Sequence, residues 1–150
     1  MYKRFGKRLI DTVLSLIALV ILSPLLLITA LAVKLSSPGP VLFKQQRLGL
    51  HGKVFTIYKF RSMSDGAEHT GSGVYSGKGD PRVTKVGKLI RATSIDELPQ
   101  FWNILKGDMS IVGPRPERQQ YIEEFCKETP EFIYRLKVKA GLTGYAQIYG

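Results

Sequence analysis

Two adjacent carboxylates stand in the stretch Ser94-Ile95-Asp96-Glu97-Leu98-Pro99, where the chain carries its most pointed chemical signal. A carboxylate can attack phosphorus and form an acyl phosphate. Two together can help to hold magnesium, which takes carboxylate oxygens along with phosphates and waters. The same residues have a plain structural use. Ser94-x-x-Glu97 matches a helix capping box, with an apolar run to Leu105 and a stop at Gly107 behind it. Asp96 would then be a first-turn acid favoured by the helix dipole. Spacing alone favours this capping use. Pro99 argues against it, because a proline at the fifth helical position lacks a hydrogen that the helix needs. A helix beginning at Pro99 leaves Asp96 and Glu97 in a turn, free for other work.

Ile111-Val112-Gly113-Pro114-Arg115-Pro116 sets one arginine between two prolines. A guanidinium forks onto phosphate or carboxylate with two hydrogen bonds, and a stiff backbone lowers the ordering cost. The plain alternative is a turn with an exposed arginine. Pro116 would open a helix reaching Lys127, and Gly141-Leu142-Thr143-Gly144 reads as a last glycine-rich turn. Other cations gather upstream. On a predicted strand over residues 54–60, the period of two puts Phe55, Ile57, Lys59 and Arg61 on one face. Its two terminal cations read, on spacing alone, as a solvated edge. Residues 83–92 read as a basic amphipathic helix with Val86, Leu89 and Ile90 as the apolar stripe. Lys85, Lys88 and Arg91 recur along it at three-residue steps, and Arg82 leads into it. Such a patch suits anionic headgroups or phosphorylated ligands.

Residues 64–80 carry five glycines and tempt a phosphate-loop reading. The spacing fails. Counting back from Gly77-Lys78, the required glycine position holds Ser72, and Gly79 stands where Ser or Thr belongs. The dinucleotide pattern fails at Ser76. The segment reads as a mobile loop that could serve as a lid.

The elements that must position these groups begin with an apolar run. Residues 12–33 contain 22 positions without a charge, a helix of about 33 Å that matches the hydrocarbon core of a bilayer. Lys34-Leu35-Ser36-Ser37-Pro38 is a poor cleavage site, which disfavours a signal peptide. Lys3, Arg4, Lys7 and Arg8 precede the run; Lys34, Lys44 and Arg47 follow it. Basic flanks stay cytoplasmic, so a straight span would carry one across. Ser23-Pro24 lies mid-run, where a kink could return the chain to the same face. These features leave a re-entrant helix and a straight span equally open. Asp11, the only acid in the first 64 residues, could pair with Lys7 or Arg8 across a helical turn. On spacing it reads as a solvated interfacial charge. Beyond the run, Pro38-Gly39-Pro40 stops the helix, and residues 41–43 and 54–60 form a short strand pair.

Composition narrows the classes. Lys and Arg number 22 against 12 Asp and Glu, a net charge of +10. One cysteine, Cys126, excludes an internal disulfide. Two histidines and one cysteine exclude a structural zinc site. Aromatics lie in apolar stretches and are not interleaved with cations, which disfavours nucleic acid.

The motifs together resemble one family. They are Lys7-Arg8-x-x-Asp11, the Ser23-Pro24 break, Tyr58-Lys59-Phe60-Arg61-Ser62-Met63, Asp80-Pro81-Arg82-Val83-Thr84 and Ser94 to Gln100. Trp102 to Ser110, Gly113-Pro114-Arg115-Pro116 and Gly141 to Gln147 complete the series in order. The chain resembles the bacterial sugar transferases, the monotopic polyprenyl-phosphate phosphoglycosyl transferases, over nearly its whole length. The resemblance implies transfer of a sugar-1-phosphate from a UDP-sugar to undecaprenyl phosphate. UMP leaves in the first half-reaction, and the reaction is the first membrane step of exopolysaccharide, capsule, O-antigen or glycoprotein glycan assembly. It implies Asp96 as nucleophile through a covalent phosphosugar intermediate, Glu97 as its partner, and Mg2+ held by Asp96 and Glu97. Arg115 matches the nucleotide and phosphate site, and Lys59, Arg61, Arg82 and Arg91 are further candidates for substrate binding. The family's N-terminal helix is re-entrant at the matching Ser23-Pro24, with Arg8 and Asp11 near the interface. Localisation at the cytoplasmic face of the bacterial inner membrane follows, with membrane lipid and downstream glycosyltransferases as partners. A homodimer is compatible with this reading.

The expected fold is α/β, mostly helical with a short strand pair, behind an N-terminal re-entrant membrane helix-break-helix. The expected domains are residues 1–37, the membrane helix with basic flanks, and 38–150, a cytoplasmic catalytic domain. The chain begins at the catalytic module as the small family members do, and relatives usually continue beyond Gly150, which would make it C-terminally truncated. The alternative of another class is a membrane-anchored basic module that docks anionic lipid or a partner glycan enzyme. Only the enzyme reading requires Asp96.

Overall fold

The computed structural model describes residues 2–71, 73 and 76–149. Ser72, Val74 and Tyr75 of the expected lid loop lie outside them, as do Met1 and Gly150. The elements are helix α1 (Tyr2–Ser36), strands β1 (Leu42–Leu48) and β2 (Val54–Phe60), and helices α2 (Lys85–Ala92) and α3 (Gln100–Lys106). Strand β3 (Met109–Val112), helix α4 (Gln119–Glu128), strand β4 (Ala140–Thr143) and helix α5 (Tyr145–Tyr149) follow. Short 3-10 segments occur at Leu50–Gly52, Ala67–His69, Ile95–Glu97 and Pro130–Lys137. The mostly helical expectation holds. One strand pair was expected; among the described residues two are present, β1–β2 and β3–β4.

The chain divides into two compact units. Unit 1 comprises Met1–Ile21, Lys44–Ile57 and Gln100–Gly150. Its core is Phe55, Ile57, Ile104, Met109 and Ala140, with Phe101, Ile111 and Leu142 packed against it. Strands β3 and β4 pair in parallel, Met109 opposite Ala140 and Val112 opposite Thr143. The expected turn at 141–144 is therefore partly a strand. Glycine is required there: a Cβ on Gly141 would lie 2.0 Å from the Gly113 amide nitrogen, a separation that no side chain tolerates.

Unit 2 comprises Leu22–Phe43 and Tyr58–Pro99. Val33, Phe60 and Ile90 form its core, joined by Leu26, Ala30, Val41, Leu42, Val86 and Ile95. Helix α2 starts where Thr84 accepts a hydrogen bond from the Gly87 amide at 2.8 Å. Ile90 and Val86 of its expected stripe face the core; Leu89 is exposed. Gly87 is fixed by close approach, since a Cβ would lie 1.9 Å from the Ser62 carbonyl oxygen.

Where a helix-break-helix was expected, helix α1 is one element of 35 residues that continues through Pro24, whose missing amide costs a single backbone hydrogen bond. Its portion 4–36 is long and apolar enough to cross or enter a membrane. Within unit 2, Leu26, Ala30 and Val33 turn toward protein while Leu27, Ile28, Leu31 and Leu35 are exposed. An outward face of leucine and isoleucine suits this helix to a membrane anchor.

Candidate active site

The carboxylates lie in unit 2. No capping box forms. Ser94 has φ +57°, and Asp96 and Glu97 sit on the 3-10 turn Ile95–Glu97, while helix α3 begins after Pro99. The proline decides this, because it has no amide to give a helix running through it. The Glu97 carboxylate instead meets Lys59, whose Nζ donates to Oε1 at 2.9 Å. Asp96 is more than half withdrawn from solvent. Burial pushes its carboxyl above the usual range; Lys59 opposes this, the Glu97 charge adds to it, and Arg91 opposes it. A carboxylate so placed is poorly solvated yet flanked by two cations.

The strand face predicted to end in a solvated edge does not. Lys59 is mostly buried beside Glu97. Arg61 is buried, and its guanidinium caps the C-terminal end of α1, donating to the carbonyls of Ser37 at 2.8 Å, Val33 at 3.3 Å and Pro38. Those carbonyls carry the negative end of the helix dipole. Arg91 Nε donates to Ser62 Oγ at 2.7 Å and Nη1 to Ser76 Oγ at 3.0 Å.

Arg82 sits elsewhere, inside the 64–82 loop. Its Nε and Nη2 bind the Asp80 carboxylate, at 2.9 and 2.6 Å. Its Nη1 donates to the carbonyls of Ala67 (2.6 Å), Thr70 (2.7 Å) and Gly73. Its own carbonyl accepts from the Ser64 amide at 2.9 Å. The expected mobile loop is thus wrapped on one guanidinium. Of the cations predicted to bind substrate, Lys59 and Arg91 stand at the carboxylates, whereas Arg61 and Arg82 hold backbone.

Arg115 lies in unit 1, exposed, on the Gly113–Glu117 turn after β3. Unit 1 also holds Arg8 and Asp11. Arg8 caps α3, donating to the carbonyls of Ile104 and Leu105, the latter at 2.6 Å. Asp11 was read as a solvated charge; it is 5% exposed. It accepts from Ser110 Oγ at 2.7 Å and from the Ile111 amide at 3.2 Å, with Lys7 Nζ at 3.5 Å. Ser23 and Pro24 belong to the α1 segment of unit 2. Sequence reading missed three side chains that shape these sites: Ser62, Arg47 and Arg135. Ser62 lay inside a quoted motif; the two arginines had no local signal.

Among the described residues no group of three or more His, Cys, Asp or Glu could hold a metal. The donor set at Asp96 and Glu97 fits a magnesium ion whose other ligands are substrate phosphates and water.

A mostly helical protein with short strand pairs, an apolar N-terminal helix and a half-buried aspartate beside cations is compatible with phosphate chemistry at a membrane. The bacterial sugar transferase family model matches residues 2–150, and the chain belongs to that family. It is 50% identical over 144 residues to the UDP-N-acetylgalactosamine-undecaprenyl-phosphate N-acetylgalactosaminephosphotransferase of Aeromonas hydrophila, covering 96% of this chain and 34% of that protein. It is 50% identical over 147 residues to the UDP-glucose:undecaprenyl-phosphate glucose-1-phosphate transferase of Escherichia coli, covering 98% of this chain and 32% of that one. The enzyme of the same name in Caulobacter vibrioides is 47% identical, with 96% of this chain and 54% of the relative covered. The chain spans about a third to a half of the length of these relatives.

Proposed function

We propose that this chain is the phosphoglycosyl transferase module that moves a sugar-1-phosphate from a UDP-sugar to undecaprenyl phosphate. The observation that carries this reading is Asp96: a withdrawn carboxylate, with Lys59 and Arg91 as its opposing charges and Glu97 beside it. The relatives' names supply the substrate class.

In the proposed mechanism an Asp96 oxygen attacks the phosphorus that bears the sugar. The new Oδ–P bond forms as the bond to the UMP oxygen breaks, and UMP takes that electron pair. An oxygen of undecaprenyl phosphate then attacks the same phosphorus. The carboxylate leaves, and the product is the sugar-bearing diphosphate. Lys59 and Arg91 favour the ionised form of Asp96 against the burial that favours its acid form, and both offer positive charge to the phosphoryl group that Asp96 attacks. Glu97 holds Lys59 in place through their ion pair. Magnesium, held by Asp96 and Glu97, would neutralise diphosphate charge. Arg115 supplies a forked contact to phosphate or nucleotide. Helix α1 enters the cytoplasmic leaflet of the inner membrane with both basic flanks on one side, and Pro24, inside the helix, is the point at which it would bend.

The deciding experiment incubates the purified chain with undecaprenyl phosphate and a panel of UDP-sugars and follows UMP. UMP release that requires Asp96, limited to one equivalent per chain with UDP-sugar alone and sustained only when undecaprenyl phosphate is added, supports the reading. A chain that binds anionic lipid but releases no UMP with any sugar refutes it and favours the docking module.

A further inference from the structure

The turn that carries Arg115 is held carbonyl by carbonyl. Pro114 O accepts from the Gly141 amide at 2.9 Å, and Glu117 O from the Leu48 amide at 3.0 Å. Between them, Arg115 O accepts from Arg135 Nη2 at 2.6 Å, and Pro116 O from Arg47 Nη1 at 3.3 Å. Four successive carbonyls are therefore bound by β4, the 130–137 segment and β1, and the Gly113 amide donates to Thr143 O at 2.9 Å. Prolines 114 and 116 have no amide to place.

The two arginines are themselves fixed. Arg47 pairs with Glu117 at 3.7 Å and donates to Gln45 Oε1. Arg135 lies over the Phe132 ring at 4.2 Å. Partial burial lowers the Arg135 pKa, and the Glu117 charge opposes this. The bond from Arg135 to Arg115 O lies at the surface, where water would satisfy the same carbonyl. A half-buried guanidinium held over the Phe132 ring does what water does not: it fixes direction.

We infer that Arg135 and Arg47 are positioning residues, which orient the Arg115 backbone so that its exposed guanidinium meets a nucleotide phosphate at a lower backbone ordering cost. They touch no substrate and act only through Arg115. The inference rests on the assignment of Arg115 made above.

The test measures UMP affinity of the full chain in lipid nanodiscs by calorimetry. Arg135→Met and Arg47→Met are each expected to weaken UMP about three- to tenfold. The milder Arg135→Lys and Arg47→Lys keep the charge, lose the planar fork and fall between, which covers a methionine variant that fails to fold. In an Arg115→Ala background neither change weakens UMP further, because the effect runs through Arg115. A general loss of packing would instead lower affinity equally in both backgrounds, and that result overturns the inference. So does unchanged affinity in the native background, or no UMP binding by the native chain. UMP binding without turnover would refute the transferase reading and leave the positioning intact.

Discussion

The ammonium of Lys59 lies 2.9 Å from Oε1 of Glu97, and neither side chain is more than about a quarter exposed. Lys59 is the penultimate residue of β2, and Glu97 closes a 3-10 turn 38 residues later. The pair places a fixed positive charge next to Asp96, whose carboxyl burial pushes up and Lys59 pulls back.

From that relationship, Asp96→Asn should remove turnover and covalent labelling from a radiolabelled UDP-sugar, since an amide does not attack phosphorus. Lys59→Met should lower kcat by about 10²-fold or more, an electrostatic contribution of the usual size. Labelling retained in Asp96→Asn would remove Asp96 from the nucleophile's role. Glu97→Gln should cripple turnover but leave thermal unfolding near the native value; an unfolded variant would mark Glu97 as structural.

Divalent cations should be required. Two adjacent carboxylates, with no third acidic or histidine neighbour among the described residues, bind magnesium weakly by themselves and depend on substrate phosphates to complete the shell. UMP release should stop in excess chelator and return with added magnesium. Full turnover in chelator would refute the requirement.

The Asp80–Arg82 clasp should be acid-labile. Arg82 holds the Asp80 carboxyl well below its ordinary value of 3.8. A depressed folded-state pKa contributes stability that is complete at neutral pH, declines below the ordinary value and vanishes below the folded one. The melting temperature of Asp80→Asn should therefore lie below that of the native chain at pH 7, and the gap should narrow as pH falls under about 4. A gap independent of pH would show that the charge on Asp80 does not matter.

Asp11→Ala should cost about 1–3 kcal/mol in unit 1, because the Ser110 hydroxyl and Ile111 amide lose a buried acceptor. Asp11→Asn, which keeps one acceptor oxygen, should cost less. Thermal unfolding in detergent reads both. No change in Asp11→Ala would mean that the network carries no net stability.

Both ends of α1 should face the cytoplasm. In a Cys126→Ser background, Lys3→Cys should resist an impermeant thiol reagent applied to intact cells. Replacing Ser23-Pro24 with Ala-Leu should shift the helix toward spanning, with loss of activity. Labelling of the native segment from outside would defeat the re-entrant geometry.

The sequence by itself determined the elements set by local rules. An uncharged run of 22 residues is apolar whatever surrounds it. Pro99 ended one option for Asp96 and Glu97 and placed the helix start beyond them. The Thr84-led helix and the 54–60 strand follow from periodicity. Tertiary structure alone decided where the cations point. Arg8, Arg61 and Arg82 were indistinguishable from phosphate ligands in the sequence, yet all three bind backbone carbonyls. A guanidinium carries the same charge and donor fork for either partner. Which partner it meets depends on carbonyls brought near it by chain closure over 9 to 97 residues, and no local pattern encodes that proximity. Asp11 was misread for the same reason: its acceptors' partners, Ser110 and Ile111, lie about a hundred positions away and meet it only when the helix docks.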